Sequence, residues 1–131
     1  MDKLIVDEIY VYIGNKQNRY YIFTALGFDA KGCKYPFYHL AKDKNYQDLY
    51  RFNQSLPLAN IYHSDGALIY PQLYGQRSIA EKSAQTNLIE SMNSQLRQYV
   101  SSIKRKTKCY AKSFDELNKK LAMVIINKIM V

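Results

Sequence analysis

Three acidic residues of this sequence, Asp7, Asp65 and Glu90, stand where carboxylates could bind a metal ion. Asp7 lies among β-branched hydrophobic residues that recur at every second position of residues 5–13 and would share one face of a strand. A negative charge on such a face is costly unless it is paired or bound to a metal. The pattern alone leaves two explanations open for Asp7: a functional role, or hydrogen bonding at a partly exposed strand end.

Asp65 and Glu90 are less distinctive when each is taken alone. Asp65 ends a short apolar segment and precedes Gly66, which is typical of a turn or a helix cap, and a glutamate on a polar helix face, like Glu90, is usually solvated. The set is more informative, because a polynucleotidyl transferase of the ribonuclease H type needs one carboxylate inside a strand, one at a strand end and one on a later helix. Hard divalent cations prefer oxygen ligands. Two such ions about 3.5–4 Å apart can stabilise both the attacking and the leaving oxygen of a phosphoryl displacement.

The first forty residues predict the strands that would carry Asp7. Runs rich in Ile, Val, Tyr and Phe at residues 4–13, 20–26 and 33–40 are separated by turn signals. Strands joined by short turns form an antiparallel meander. Pro36 has no N–H to donate to a ladder, so the third strand is predicted to lie at a sheet edge.

The hydrophobic period changes after these strands. Apolar residues at helical spacing predict a helix within residues 43–55, and residues 60–63 predict a short strand. The stretch 67–83 is ambiguous, and a short helix with a weak strand near residues 78–80 is its best interpretation.

Two helices are predicted in the last third of the chain. Thr86 is a plausible cap for the first. Six apolar residues are predicted to form its buried face: Ile89, Met92, Leu96, Tyr99, Val100 and Ile103. Ser113 and Glu116 match an S-x-x-E capping box at the start of the second helix. Its predicted buried stripe consists of Leu117, Leu121, Val124, Ile125 and Ile129. This order of elements predicts an α+β fold with a mixed sheet flanked by helices.

Composition and charge narrow the class of protein. One hundred and thirty-one residues, 47% of them hydrophobic, suffice for one folded domain. The net charge is +8, and the excess is local, with seven basic residues and one acid between Lys82 and Lys112. Such a stretch is typical of contact with a polyanion, usually nucleic acid, although a solvated helix face would have the same composition.

Cysteine usage and hydropathy argue against several other classes. Cys33 and Cys109 have no CxxC partner and no histidine at zinc spacing, so a structural zinc site is not expected. No apolar run approaches the ~20 residues of a membrane helix, and the acidic N-terminal residues do not fit a secretory signal. We therefore expect no membrane partner and a cytoplasmic, nucleoid-associated location, where isolated thiols stay reduced.

Three blocks of the sequence resemble, in order, the catalytic blocks of the insertion sequence 1 family of DDE transposases. The first is Val-Asp-Glu-Ile-Tyr-Val-Tyr-Ile-Gly at residues 6–14, followed by a basic turn and Tyr-Tyr-Ile-Phe at 20–23. His-Ser-Asp-Gly at 63–66 is similar to the second block. Thr-Asn-Leu-Ile-Glu-Ser-Met-Asn-Ser-Gln-Leu-Arg at 86–97 is similar to the third block, and the similarity continues through the basic segment to residue 113.

The resemblance implies a ribonuclease-H-like fold and a metal-dependent activity that cuts and joins DNA. By it, Asp7, Asp65 and Glu90 are the catalytic triad and the ligands of two Mg²⁺ or Mn²⁺ ions, and the 24 residues between the last two are similar to this family's spacing. Arg97 is implied as the basic residue that follows the glutamate and contacts DNA. Four further DNA contacts are implied: Lys104, Arg105, Lys106 and Lys108. The partners would be the element ends and the target DNA, bound by a homo-oligomer.

The chain departs from the usual pattern of that family on its N-terminal side. Family members carry an upstream zinc-finger and helix-turn-helix region, whereas six residues precede Asp7 here and no CxxC occurs. We therefore expect residues 1–131 to form the catalytic domain without that region, with a fused or separate N-terminal DNA-recognition protein as a partner. Two alternatives stay open: a metal-dependent ribonuclease-H-like nuclease, and a non-catalytic remnant of a degenerate element that binds DNA in a salt-sensitive manner.

Overall fold

The computed structural model describes residues 1–15, 17–65, 69–80, 84–100 and 112–129. Their strands and helices are, in chain order, β1 Lys3–Tyr12, β2 Arg19–Phe28, β3 Lys34–Ala41, α1 Tyr46–Gln54, β4 Ile61–Ser64, α2 Ile69–Tyr74, β5 Ser78–Ala80, α3 Ala84–Tyr99 and α4 Phe114–Val124. A 3₁₀ turn extends α2, and a π-helical turn extends α4. None of the helices in these ranges is both long and apolar enough to cross a lipid bilayer.

The strands form one mixed sheet in the order β3-β2-β1-β4-β5. β1, β2 and β3 are antiparallel neighbours, whereas β4 is parallel to both β1 and β5. This architecture confirms the predicted α+β class and the predicted meander. β3 lies at the sheet edge, where the missing N–H of Pro36 is tolerated, as predicted. The short helix and the weak strand proposed for the ambiguous stretch are also present, as α2 and β5.

β1 is the central strand because both of its faces are apolar over its first half. Ile5 and Ile9 belong to a buried cluster with residues of α3 and α4. Leu4 and Val6, which point to the other face, belong to a second buried cluster with residues of α1 and α2. Burial of each such side chain contributes roughly 1.5–3 kcal/mol to folding. The two helix layers are thereby held on opposite faces of one strand.

Two predicted features of the late helices need correction, and one is confirmed. α3 begins at Ala84, so Thr86 is a buried residue inside the helix and not its cap. Tyr99 was predicted to be buried but is 46% exposed, because it lies at the border of the apolar stripe. The predicted Ser113 cap of α4 is present: the Glu116 N–H donates to the Ser113 hydroxyl at 3.2 Å. The reciprocal bond of the capping box is shifted by one residue, because the Glu116 carboxylate accepts from the N–H of Lys112, which precedes the cap, at 3.2 Å.

The other residues of the two predicted buried faces lie as expected. Ile89, Met92 and Leu96 of α3 are buried, as is Val100, which directly follows the helix. In the second helix Leu117, Leu121, Ile125 and Ile129 are buried, and Val124 packs against the same cluster while partly exposed. Ile103 lies outside the described residues. α3 is therefore fixed on β1 by its apolar stripe, and its polar stripe is presented beside the end of β4.

Candidate active site

The site lies beside the central strand β1, at the point where the neighbouring strand β4 ends. β4 pairs with the first part of β1 only, and Ile5 lies opposite His63. β4 ends one residue after His63, whereas β1 continues along β2 to the hairpin. Extending the parallel register by two residues places Asp65 beside Asp7. The sheet therefore has a notch on the β4 side of β1, at the level of Asp7.

Three carboxylates meet at this notch. One oxygen atom from each of Asp7, Glu8 and Asp65 lies within 4.8 Å of the others. Strand alternation assigns Asp7 and Glu8 to opposite faces of β1. Within the described part of the sheet no strand pairs with β1 on this side, so both side chains can turn towards the end of β4.

The other wall of the site is the polar stripe of α3. Glu90, Asn93, Ser94 and Arg97 follow one another at helical spacing and line, with the three carboxylates, a cleft of about 330 Å³. Their spacing places them on the side of α3 next to the apolar stripe that packs on β1. The cleft therefore contains four carboxylates and one guanidinium group.

Asn93 connects the helix to the strand. It is 1% exposed, and its Nδ2 donates a hydrogen bond to Asp7 Oδ2 at 3.0 Å. The Oδ1 atom of Asn93 has no hydrogen-bond partner among the described residues. A buried amide oxygen without a partner is costly, so the site contains an acceptor that a ligand could satisfy.

Burial and neighbouring charges raise the pKa of Asp7 from 3.8 to about 7. Loss of hydration in the cleft is the largest cause. Repulsion from the charges of Glu8, Asp65 and Glu90 raises the pKa further, and a hydrogen bond from the Glu8 N–H partly opposes the rise. The electrostatics of the cleft therefore favour a cation or a proton near Asp7.

Glu8 is held from the opposite side of the sheet. Lys44, which precedes α1, forms an ion pair with Glu8, whose side chain is 10% exposed. The hydroxyl of Tyr70 in α2 donates to the other carboxylate oxygen. Burial and the charge of Glu8 raise the pKa of Tyr70 well above its ordinary value, so the phenol remains a donor. Glu8 is thus held by Lys44 and Tyr70, whereas Asp7 is held by Asn93 of α3.

The predicted site residues lie together in the structure wherever they are described. Asp7, Asp65, Glu90 and Arg97 all line the same cleft, although Glu8 takes the place of Glu90 in the closest group of carboxylates. The predicted DNA contacts Lys104, Arg105, Lys106 and Lys108 lie outside the described residues.

Glu8 was not identified from the sequence, although a signal for it was present. It follows Leu4 and Val6 on the second face of the strand, as Asp7 follows Ile5 on the first. The same rule on a charge among apolar residues applies to both. The adjacency of two carboxylates on one strand was therefore the pattern that could have indicated Glu8.

The donor set of the cleft fits a hard divalent cation. Mg²⁺ and Mn²⁺ prefer carboxylate and amide oxygens, and the cleft supplies oxygens of Asp7, Glu8 and Asp65 within 4.8 Å of one another. Asn93 adds the buried oxygen described above. Sulfur and imidazole groups are absent from the described lining of the cleft, which argues against zinc or copper.

Comparison with known proteins agrees with these observations. Residues 3–131 match the IS1 transposase family, so the matched segment includes every strand and helix described above. A search of curated proteins and a search of solved structures each gave no significant match. The match extends over nearly the entire sequence and includes all the residues that line the cleft. This chain belongs to the IS1 transposase family.

Proposed function

We propose that the chain is the catalytic domain of a DDE transposase that cleaves DNA strands and transfers them with the help of divalent cations. The observation that carries the proposal is the meeting of Asp7, Asp65 and Glu90 in one cleft, from a strand, a strand end and a helix. Membership of a transposase family supports DNA as the substrate. We include in the proposal that residues 1–131 form one ribonuclease-H-like domain. The strand order β3-β2-β1-β4-β5, with a parallel β1–β4 pair, supports that assignment.

Asp7, Asp65 and Glu90 would hold the cations, and Glu8 lies near enough to share in this role. When bound, divalent cations supply positive charge at the scissile phosphodiester and lower the pKa of the attacking hydroxyl or water. The Glu8 carboxylate, added to these three, increases the negative charge that attracts cations into the cleft.

Asn93 and Arg97 would act on either side of these carboxylates. The hydrogen bond from Asn93 fixes the orientation of the Asp7 carboxylate, and a fixed orientation of this kind strengthens metal binding by a ligand. Arg97 is placed in the same cleft, where its guanidinium can bind a phosphate oxygen of the substrate.

Further contacts belong to the same proposal but lie outside the described residues. Lys104, Arg105, Lys106 and Lys108 would bind the phosphates of the DNA by charge. Action as a homo-oligomer and cooperation with an N-terminal DNA-recognition protein remain predictions from the family resemblance.

The proposal is tested by nicking of a supercoiled plasmid and by joining of a labelled duplex with a free 3′ hydroxyl to that plasmid, each with Mg²⁺ or Mn²⁺. We expect Asp7→Asn, Asp65→Asn and Glu90→Gln each to reduce nicking by about a hundredfold or more, the usual effect of losing one group aimed at the reacting centre. Asp2→Asn is the control, because Asp2 is an exposed carboxylate outside the cleft. It should retain the activity of the unchanged protein.

The outcomes separate the proposal from its alternatives. Joined products together with nicks support a transposase. Nicks without joined products support a nuclease with the same site. DNA binding without cleavage supports a non-catalytic remnant. Full activity in the three cleft variants would remove the triad from the proposal.

A further inference from the structure

A second polar surface lies on β1 and β2, beyond the cleft and towards the hairpin that joins them. Tyr10 and Tyr12 project from β1 on the face that also carries Glu8. Tyr21 lies opposite Tyr10, and Arg19 lies opposite Tyr12. We call these four residues the tyrosine strip.

The residues of the tyrosine strip are exposed or partly exposed, whereas the opposite face of β1 is buried at the same level. Tyr10 is 44% exposed, and Arg19 is exposed as well. The neighbouring Val11 and Ile13 on the other face are buried. None of the three tyrosines belongs to either buried cluster of the described residues. Packing in the core therefore does not account for three aromatic side chains on this surface.

The rings and the guanidinium group of the strip are arranged against one another. The Arg19 guanidinium lies 4.8 Å from the ring centroid of Tyr10 and 5.8 Å from that of Tyr12. The two rings are 5.9 Å apart and meet edge to face. Arg19 also donates to the Tyr12 hydroxyl at 3.4 Å. The surface thus combines aromatic faces and a positive charge held near them.

The tyrosine strip continues directly from the cleft. Tyr10 is two positions after Glu8 on the same face of β1, about 7 Å along the strand. Lys44, which pairs with Glu8, also lies within electrostatic range of the Tyr21 phenol, so the ion pair adjoins the strip. A DNA strand that leaves the cleft along this face would therefore contact the tyrosine strip first.

We propose that the tyrosine strip is a stacking platform for the unpaired bases of a single DNA strand next to the cleft. The proposal rests on the proposed function, because it takes the cleft as the place where the DNA is cut. Bases can stack on tyrosine rings only when they are not stacked in a duplex, and a guanidinium beside the rings can bind the phosphate between two bases. The positive charge of Arg19 beside the rings favours a polyanion as the occupant of this surface.

The test measures base stacking separately from charge. Binding of a fluorescein-labelled 12-nucleotide single strand is compared with binding of an abasic strand of the same length, in EDTA, by fluorescence anisotropy. The abasic strand has the same phosphates but no bases, so the ratio of the two affinities reports stacking. Each stacked base contributes about tenfold to affinity, so we expect the wild-type protein to prefer the base-containing strand by at least about tenfold.

Matched variants identify the rings responsible. The double variant Tyr10→Thr/Tyr12→Thr keeps β-branched side chains suited to a strand but has no rings, and it should bind both strands about equally. Tyr10→Phe/Tyr12→Phe keeps the rings and should keep the preference. Tyr35→Thr is the control, because Tyr35 is an exposed tyrosine at the opposite end of the sheet, paired with Gly27. It should also keep the preference.

Several results would overturn the proposal. One is a wild-type protein that binds both strands equally, and another is a threonine variant that keeps the wild-type preference. A threonine variant that changes the oligomeric state in light scattering while keeping the preference would indicate a second copy of the chain as the occupant. If the threonine variant does not fold, a strand with 5-iodouridine provides the second measurement, since irradiation should cross-link it to Tyr10 or Tyr12. Cross-links confined to other residues would contradict the platform.

The binding assay contains no divalent cation and no cleavage step, so it can fail or succeed independently of the catalytic assay. A base preference that depends on Tyr10 and Tyr12, with unaffected nicking in Asp7→Asn, would keep the platform and reject the proposed triad. Nicking that depends on Asp7 without any base preference would do the reverse.

Discussion

The two halves of β1 have different surroundings although they belong to one continuous strand. In the first half, Leu4, Ile5 and Val6 lie between two neighbouring strands and under helices on both faces, and all three are buried. In the second half, β4 has ended, and of the residues that follow Glu8 on its face Tyr10 is exposed and Tyr12 is partly exposed. Both faces of the first half are therefore buried, whereas the second half is buried on one face and accessible on the other.

The acidic residues lie at the junction of these two halves. A carboxylate in the first half would be enclosed without water, and carboxylates far out on the second half would not meet those of other elements. At the junction Asp7 and Glu8 reach the end of β4 and face α3, while one side of the cleft remains open. The comparison shows that a site can be placed where a core ends, because the core fixes the backbone and the notch admits the ligand.

The largest effect should separate the two halves by stability. Leu4→Ala removes a fully buried side chain and should lower the free energy of unfolding by about 2–5 kcal/mol. Tyr10→Ala removes a half-exposed ring and one cation–π contact, so it should cost about 1 kcal/mol or less. Urea denaturation of both variants measures the difference. Equal losses in the two variants would show that the halves do not differ as described.

The stability of the first half follows from local sequence patterns, which is why much of the fold could be predicted. Alternating apolar residues predicted β1, and the missing N–H of Pro36 predicted the edge strand. Ser113 and Glu116 predicted the start of α4. Each of these signals acts within a few residues of the chain. The start of α3 was missed because competing signals near Thr86 are decided by packing.

The site depends on contacts between distant parts of the chain, and these were accessible only through the family resemblance. No local pattern predicts that β4 pairs with β1 and ends one residue before the level of Asp7, or that Glu90 lines the same cleft. Glu8 shows the difference most clearly, since alternation places it away from Asp7 while the notch brings both carboxylates together. The position of the end of β4 therefore determines which carboxylates come together, and strand alternation alone does not predict this set.

A smaller effect should appear in the pH dependence of stability. The folded pKa of Asp7 is raised to about 7, so between about pH 4 and pH 7 the folded state holds a proton that the unfolded state has released. The contribution of Asp7 to stability is therefore greatest below this range and decreases as the pH rises through it. The full shift would correspond to about 4 kcal/mol, and water at the open side of the cleft should reduce the effect to about 2 kcal/mol.

The contribution of Asp7 is obtained by difference. Urea denaturation in EDTA at several pH values should show a steeper decline for the wild-type protein than for Asp7→Asn, which cannot titrate. Asp115→Asn is a suitable control because Asp115 is an exposed carboxylate outside the cleft. Its slope should equal that of the wild-type protein. Parallel curves for all three proteins would mean that Asp7 titrates at its ordinary pKa, as expected for a carboxylate on an open surface.

The smallest effect should distinguish two adjacent residues on the wall of the cleft. Asn93 is buried and donates to Asp7 Oδ2, whereas Ser94 is exposed in the same cleft. Asn93→Ala frees the Asp7 carboxylate to rotate and removes an oxygen from the site. We therefore expect it to weaken Mn²⁺ binding about tenfold, as loss of a hydrogen bond that orients a metal ligand does. Ser94→Ala should change Mn²⁺ affinity little, and titration calorimetry with Mn²⁺ alone measures both affinities.

If Ser94→Ala weakens Mn²⁺ binding as much as Asn93→Ala does, general disturbance of α3 explains the effect. The buried position of Asn93 would then have no part in orienting the Asp7 carboxylate.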